Sequence, residues 1–145
     1  MERNEFLRTC GLGCLGLMAG APLLTSCSPT VYVQKLVINN QISVGLLEFL
    51  IEGETEKYHR YILVKSEQLD YPIVVYRKSE KHFTSLLLRC THRGTELNVH
   101  GDLISCPAHG SEFSNIGEVI SEPAPQPLKS FHSEVIQNEL IIHLL

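Results

Sequence analysis

The chain of 145 residues has a length that suits one globular domain of ordinary size. Its hydrophobic fraction of 43% is normal for a folded protein, which argues against a chain that is disordered throughout. The formal net charge of −4 argues against a nucleic-acid-binding protein, because such proteins need a basic face to neutralise phosphates.

Residues 1–26 have the layout of an export signal peptide that is removed from the mature protein. A short charged segment precedes an apolar, glycine-rich stretch (residues 10–24) that is too short to span a membrane comfortably. Leu24-Thr25-Ser26-Cys27 matches a lipobox, so Cys27 is predicted to carry a diacylglyceryl group, and residues 27–30 to act as a tether. A simple N-terminal anchor, or a signal that is cut elsewhere, is the alternative.

The charged segment also bears on the export route. Residues 3–8 resemble a twin-arginine export motif in which Asn4 replaces the second arginine, so twin-arginine and Sec export both stay open. The predicted location is the periplasmic face of a bacterial membrane, to which the lipid on Cys27 anchors the protein.

From residue 31 onward, runs of β-branched and aromatic residues alternate with turn residues, which predicts β-strands. The chain closes with a predicted hairpin over residues 134–145, and residues 45–50 are also compatible with a helical turn. We therefore expect an all-β fold, an antiparallel sandwich or partial barrel, over residues 31–145. The other predicted strands lie at 31–37, 43–51, 60–65, 73–77 and 83–89.

Residues 90–131 form a loop-rich insert between these strands, and such segments usually carry function. Two short boxes within it, Cys90-x-His92 and Cys106-x-x-His109, each offer one thiolate and one imidazole. Four ligands of these types suit a [2Fe–2S] cluster, with two ligands on each iron. Replacing two thiolates by neutral histidines removes negative charge and raises the reduction potential.

Three other interpretations of the boxes compete with an iron–sulfur cluster. A disulfide between Cys90 and Cys106 needs no histidine, yet each cysteine has one at ligand spacing. A structural zinc site is chemically allowed, although zinc sites more often pair cysteine with cysteine and histidine with histidine. Coincidence requires two such boxes in one glycine-rich insert. The spacing favours the cluster, with a zinc-stabilised binding module as the alternative.

The insert resembles the cluster-binding subdomain of the Rieske [2Fe–2S] iron–sulfur proteins. The likeness rests on the two boxes, on the segments 110–113 and 117–119, and on the proline segment Pro123-Ala124-Pro125-Gln126-Pro127-Leu128. It implies one Rieske-type cluster per chain, with Cys90 and Cys106 on one iron and His92 and His109 on the other. It also implies that the proline segment covers the cluster and that four further residues surround it: Gly94, Gly110, Ser111 and Phe113.

The chain departs from the high-potential, quinol-oxidising members of that family. Thr95 and Ala108 stand where those members have the two cysteines of a disulfide between the ligand loops. Phe113 replaces a tyrosine that donates a hydrogen bond to a ligand sulfur, whereas Ser111 keeps the serine that bonds a bridging sulfide. Because such hydrogen bonds stabilise the reduced state, the resemblance implies a low-to-intermediate potential. The spacer 93–105 is also short, which predicts a trimmed hairpin turning near residues 100–102.

The resemblance implies an electron carrier rather than an enzyme, working with redox protein partners in an extracytoplasmic or membrane oxidoreductase chain. A Rieske oxygenase also needs a mononuclear iron site made of two histidines and a carboxylate, for which we expect no room. A ferredoxin component of such an oxygenase system is the alternative. Five histidines without partner cysteines are predicted to be solvated: His59, His82, His100, His132 and His143.

Overall fold

The structure, a computed structural model, describes residues 29–145, so the predicted signal peptide and Cys27 lie outside the described residues. This part of the chain forms eleven β-strands and one short 3-10 helix, Leu46–Phe49. The strands are β1 (Tyr32–Gln34), β2 (Gln41–Gly45), β3 (Tyr61–Lys65), β4 (Ile73–Arg77), β5 (Phe83–Leu87), β6 (Asn98–His100), β7 (Leu103–Ser105), β8 (Glu112–Ser114), β9 (Val119–Ser121), β10 (Ser130–Ile136) and β11 (Glu139–His143).

Two sheets divide the strands between them. The main sheet has seven strands in the order β1-β3-β4-β5-β10-β11-β2, and the small sheet has four in the order β6-β7-β8-β9. All neighbours pair antiparallel except β1, which runs parallel to β3. The predicted all-β fold with antiparallel sheets is therefore confirmed, with one parallel edge strand that the sequence did not indicate.

Strands β3 and β4 are covered on both faces, which explains why their sequences alternate so weakly. Ile62 and Val64 of β3 pack into one hydrophobic cluster inside the main sheet, whereas Leu63 between them packs into a second cluster against the small sheet. Strand β4 divides its side chains in the same way, with Val75 on the first side and Tyr76 on the second. A strand buried on both faces has a nearly continuous apolar run.

The predicted strand at 43–51 is wrong in its second half. The chain leaves β2 at Gly45 and turns into the 3-10 helix Leu46–Phe49, so the helical alternative describes this stretch. The Gly45 N–H donates to the Glu48 carboxylate at 3.1 Å, which closes the turn, while Phe49 is fully buried. One buried aromatic in four residues does not distinguish a strand from a helical turn.

The hairpins are where the sequence placed them. Strands β10 and β11 pair directly, and the short spacer between the two boxes forms the hairpin β6–β7, which turns at Gly101 and Asp102. The Tyr76 hydroxyl of the main sheet donates to the Gly101 carbonyl at 2.9 Å and so fixes this hairpin against the main sheet. Between residues 29 and 145 we find no helix with the length and apolar character that crossing a bilayer requires.

Candidate metal centre

The first box forms a tight loop between β5 and β6. The Cys90 carbonyl accepts a hydrogen bond from the Gly94 N–H, and the Cys90 N–H donates to the Thr95 carbonyl, both at 2.8 Å. Gly94 has a φ of +76°, a left-handed conformation that costs a residue with a side chain about 1–2 kcal/mol. These bonds present the side chains of Cys90 and His92 from the same short turn.

The second box, between β7 and β8, repeats this arrangement. The Cys106 carbonyl accepts from the Gly110 N–H at 3.0 Å, and the Cys106 N–H donates to the Ser111 carbonyl at 2.8 Å. Gly110 has a φ of +77°, matching Gly94. Two loops with the same hydrogen-bond pattern therefore each present a cysteine and a histidine.

The loops bring the cysteines of the two boxes into one cluster and the histidines beside each other. Cys90 and Cys106 are free thiols, only 2% and 3% exposed, and both belong to the hydrophobic cluster against the small sheet. The rings of His92 and His109 lie edge to face with centroids 4.9 Å apart. His92 is half-buried and His109 is exposed, so the thiols form the inner side of the site and the imidazoles the outer side.

One atom of this site indicates that the residues are arranged for a bound group. The Nδ1 of His92 is buried and has no hydrogen-bond partner within the described residues. An unpaired buried polar atom of this kind costs about 1–3 kcal/mol unless another group satisfies it. A metal ion bound to this nitrogen does so, and the donor set of two sulfurs and two imidazole nitrogens is that of a Rieske centre.

The surroundings of Cys106 favour its thiolate form. Burial alone disfavours the charged sulfur, yet hydrogen bonds from the Ala108 N–H, the Cys90 thiol and the His109 N–H outweigh it, so the pKa of Cys106 is lowered. The Thr95 side chain adds a further hydrogen bond to the same sulfur. Because the thiolate is the form that ligates metal, the loop prepares this residue for binding.

The proline segment contacts both loops. Its Ala124 N–H donates to the Ser111 hydroxyl oxygen at 3.0 Å, and its Gln126 carbonyl accepts from the Thr91 hydroxyl at 2.7 Å. Ser111 is fully buried and its hydroxyl oxygen accepts this bond, which leaves its own hydroxyl hydrogen free to donate elsewhere.

Phe113 occupies the wall behind the cysteines. It is fully buried in the same hydrophobic cluster as both thiols and leaves no hydroxyl in that wall. Thr95 and Ala108, the positions without cysteines, instead lie beside the Cys106 sulfur, where both favour its thiolate form and so lower its pKa. From the sequence, these two positions indicated only the absence of a disulfide, and their effect on Cys106 was not predicted.

The sequence did not predict a role for two further residues near the first loop. Thr91, the spacer of the first box, fastens the proline segment. The guanidinium of Arg89 lies against Gly94, where an added Cβ would be 3.2 Å from Arg89 Nε. The role of Thr91 could have been predicted, because a hydroxyl inside a ligand box is a usable signal. Nothing in the sequence indicates the position of Arg89.

Comparison with known proteins agrees with this geometry. A family model described as the Rieske [2Fe–2S] domain matches residues 51–132, more than half of the chain. No curated protein gives a significant match to the chain.

Several solved structures of Rieske proteins are similar to this chain. The plasma membrane Rieske protein PetC3 from the cyanobacterium Synechocystis PCC 6803 is 23% identical over 57% of this chain and 85% of its own, with a TM-score of 0.49. A chain from the complex of reduced oxygenase and oxidised ferredoxin in carbazole 1,9a-dioxygenase is 30% identical over 58% and 80%, with a TM-score of 0.45. A chain of a hyperthermophilic respiratory complex III is 18% identical over 94% and 95%, with a TM-score of 0.48.

The family model spans both ligand boxes and the proline segment, together with the strands that carry them. This chain therefore belongs to the Rieske [2Fe–2S] family, and its cofactor is a Rieske-type [2Fe–2S] cluster.

Proposed function

We propose that Cys90 and Cys106 hold one iron of the cluster and that His92 and His109 hold the other. The observation that carries this assignment is the convergence of two buried free thiols with two neighbouring imidazoles, one of which has a buried and unpaired Nδ1. No other set of side chains within residues 29–145 combines cysteine and histidine in this way.

The function that follows is the transfer of single electrons between redox protein partners. When bound, the cluster supplies one-electron redox chemistry. The protein's part is to bury the cysteine side and to expose the histidine side, where His109 is open to solvent and His92 is half-buried. We propose that partners dock at this histidine edge and that the chain itself has no catalytic domain.

The proposed potential is low to intermediate for a Rieske centre, in the lower or middle part of a range of roughly −150 to +300 mV. Phe113 supplies no hydroxyl near the cysteines, and the ligand loops are fastened by hydrogen bonds of Thr91 and Ser111 to the proline segment rather than by a disulfide. Ser111 and Thr95 are the side chains that supply hydroxyl groups at the site. A potential near the top of the range in a redox titration would contradict this part of the proposal.

We further propose that the protein is exported and works at the outer face of a bacterial cytoplasmic membrane or beyond it, in an extracytoplasmic or membrane oxidoreductase chain. The support is the sequence of residues 1–26, the lipobox that ends at Cys27, and the short tether that joins it to the folded domain.

Metal and sulfide analysis with EPR spectroscopy tests the ligand assignment. The purified protein should contain two irons and two acid-labile sulfides per chain, and its reduced form should give a Rieske-type EPR signal. Cys106→Ser and His92→Ala should each abolish that signal, whereas His100→Ala, on the neighbouring hairpin β6–β7, should retain it. Zinc without acid-labile sulfide would favour a zinc-stabilised binding module instead.

A further inference from the structure

A second group of possible metal ligands lies on the outer face of the terminal hairpin. The imidazoles of His132 and His143 and the carboxylate of Glu134 place their ligand atoms all within 4.8 Å of one another. His143 Nε2 lies 2.9 Å from the Glu134 carboxylate, and the two imidazole rings lie 5.4 Å apart between centroids. His132 is exposed, as expected from the sequence, whereas His143 is half-buried and its ring nitrogens contact Glu134 and Gln41.

Strand register holds this group together. His132 and His143 are direct cross-strand partners in β10 and β11, so their Cβ atoms stand about 4.5–5.5 Å apart on the same face. Glu134 is two residues beyond His132 on β10 and therefore on that face as well. The neighbouring side chains Leu140 and Ile142 point inward and are fully buried, which fixes the face that the three ligands occupy.

The third strand of this face supplies a partner for the second ring nitrogen of His143. Gln41, opposite His143 in the pairing of β2 with β11, has its amide nitrogen 3.1 Å from His143 Nδ1. A 180° rotation of the amide about its terminal bond presents the carbonyl oxygen to the same atom. In that orientation Gln41 accepts a hydrogen bond from Nδ1–H and leaves Nε2 unprotonated for a metal, which is how ligand histidines are usually held.

Charge on this face also favours a cation. Besides the three ligand residues and Gln41, the face carries Glu139, whose carboxylate accepts a hydrogen bond from Ser43, together with Ile136 and Ile141. Lys35 lines the same depression as Gln41, Ser43 and Ile141, but its ammonium group is paired with Glu48 and so does not compete for Glu134.

We infer that His132, Glu134 and His143 form a second metal site, separate from the cluster, which binds a divalent transition-metal ion such as Zn²⁺. Two imidazoles and one carboxylate are a recognised ligand set for zinc, and three protein ligands leave a fourth position open to water. Binding replaces the hydrogen bond between His143 Nε2 and Glu134 with two bonds to the metal, so it requires both histidines to be neutral.

Zinc titration of the cluster-loaded protein tests this site. The metal alone is added to oxidised protein at pH 7.5, its binding is followed by calorimetry, and the visible absorbance of the cluster is recorded throughout. We expect one equivalent of Zn²⁺ to bind with no loss of that absorbance. His143→Ala and His132→Ala should abolish this binding, and Gln41→Leu should weaken it by about tenfold, the usual effect of losing a residue that orients a ligand.

Variants at the surface provide the controls. His82→Ala removes an exposed histidine outside the group, so it should bind Zn²⁺ as the unmodified protein does. Glu134→Gln keeps the size of the side chain and removes its charge. Loss of Zn²⁺ binding in this variant, while the protein stays folded, therefore reports the loss of a ligand. The inference is overturned if the double variant His132→Ala/His143→Ala still binds one equivalent, if the unmodified protein binds none, or if binding occurs only as the cluster is bleached.

Discussion

At the scale of single residues, we expect the hydroxyl of Ser111 to adjust the reduction potential. It is fully buried, and it accepts a hydrogen bond from the Ala124 N–H at 3.0 Å, which leaves its own hydrogen free. We expect Ser111→Ala to lower the potential by about 40 mV or more, the equivalent of one hydrogen bond of about 1 kcal/mol in a one-electron couple. Protein-film voltammetry or a dye-mediated titration measures this shift.

Loss of stability must be separated from that effect, because Ser111→Ala also leaves the buried Ala124 N–H without its partner. Ser114→Ala is the matched control. The Ser114 hydroxyl likewise accepts backbone hydrogen bonds, from Glu118 at 3.2 Å and from Ile116 at 3.4 Å, but it contacts neither ligand loop. Ser114→Ala should lower the free energy of unfolding without changing the reduction potential. Equal potentials for the two variants would contradict a role of Ser111 toward the cluster.

Phe113 allows the opposite change. The side chain is fully buried in the cluster of apolar residues that contains both cysteines. Phe113→Tyr adds a hydroxyl to this wall, and we expect it to raise the potential, because a new hydrogen bond to sulfur stabilises the reduced state. Phe113→Leu keeps the wall apolar and should leave the potential nearly unchanged. A tyrosine variant that holds its cluster at an unaltered potential would contradict this expectation.

The glycines of the two ligand loops have a different task, because they close the turns. Gly94 and Gly110 have φ values of +76° and +77°, so an alanine at either should cost about 1–2 kcal/mol. At Gly94 the new Cβ also meets Arg89 Nε at 3.2 Å, whereas at Gly110 it meets nothing within 4 Å. We therefore expect Gly94→Ala to lose more bound iron than Gly110→Ala, as measured by iron content after purification.

Gly101→Ala is the control for backbone strain alone. Gly101 has a φ of +63° with nothing within 4 Å of the added Cβ, but it lies at the tip of the hairpin β6–β7. It should lower the melting temperature and keep full iron content. If Gly101→Ala loses as much iron as Gly110→Ala does, iron binding is no more sensitive to backbone strain in the ligand loops than at the hairpin tip.

The residues of the site differ in how far the sequence alone predicts them. Cys90, His92, Cys106 and His109 are recognisable because metal binding demands particular residue types at short spacing. The hydrogen bonds of Thr91 and Thr95 depend on which loops meet in space. Likewise, His132 and His143 become neighbours only through the register of β10 and β11, and nothing in their spacing along the chain announces this.

At the scale of elements, Tyr76 of β4 joins the main sheet to the hairpin β6–β7. Its hydroxyl donates to the Gly101 carbonyl at 2.9 Å, and beside it Arg60 forms an ion pair with Asp102, which also accepts from Asn115 at 2.9 Å. Burial, followed by the nearby Tyr61 and Asp102, raises the pKa of Tyr76 above its usual value of 10.0. The folded state therefore holds this tyrosine neutral in a pH range where the unfolded chain ionises it.

The sign of the pH effect follows from that difference. Below pH 10 the hydrogen bond contributes fully, and Tyr76→Phe should lower the free energy of unfolding by about 1 kcal/mol. Above pH 10 the unfolded state releases the proton and is stabilised, so the advantage of tyrosine should decrease by up to about 1.4 kcal/mol per pH unit. Urea unfolding of both proteins at pH 8 and pH 11 measures this difference, and a gap independent of pH would contradict it.

The strands themselves were predictable to the extent that local residue types determined them. The strand at 73–77 agrees with β4 at both ends, because proline and charged residues bound a β-branched run. The prediction failed at Leu46–Phe49, where a backbone hydrogen bond to Glu48 rather than an apolar pattern decides the conformation. The parallel pairing of β1 with β3 is a property of topology, and a three-residue edge strand has too little pattern to reveal it.

At the scale of the whole molecule, the fold separates the parts that the proposed function needs. The two ligand loops lie at the open end of the hairpin β6–β7, because one precedes β6 and the other follows β7, whereas the first described residues, Pro29 and Thr30, lie beside its tip near His100 and Gly101. An anchor that joins the chain ahead of residue 29 therefore connects at the opposite end of this hairpin from the ligand loops. We expect this arrangement to leave the histidine edge open to partners if the chain is anchored through Cys27 as proposed.

The proposed lipid attachment at Cys27 is tested on the full chain, expressed in a bacterium. If the lipobox is used, the protein should sediment with membranes and its N-terminal peptide should carry a diacylglyceryl mass on Cys27. Cys27→Ser should abolish the lipid mass and reduce the membrane-bound fraction, because each buried methylene of the acyl chains contributes about 0.8 kcal/mol. Cys14→Ser is the matched control, since Cys14 lies in the segment predicted to be removed. Membrane association that survives Cys27→Ser, with no lipid found on the peptide, would instead favour an uncleaved N-terminal anchor.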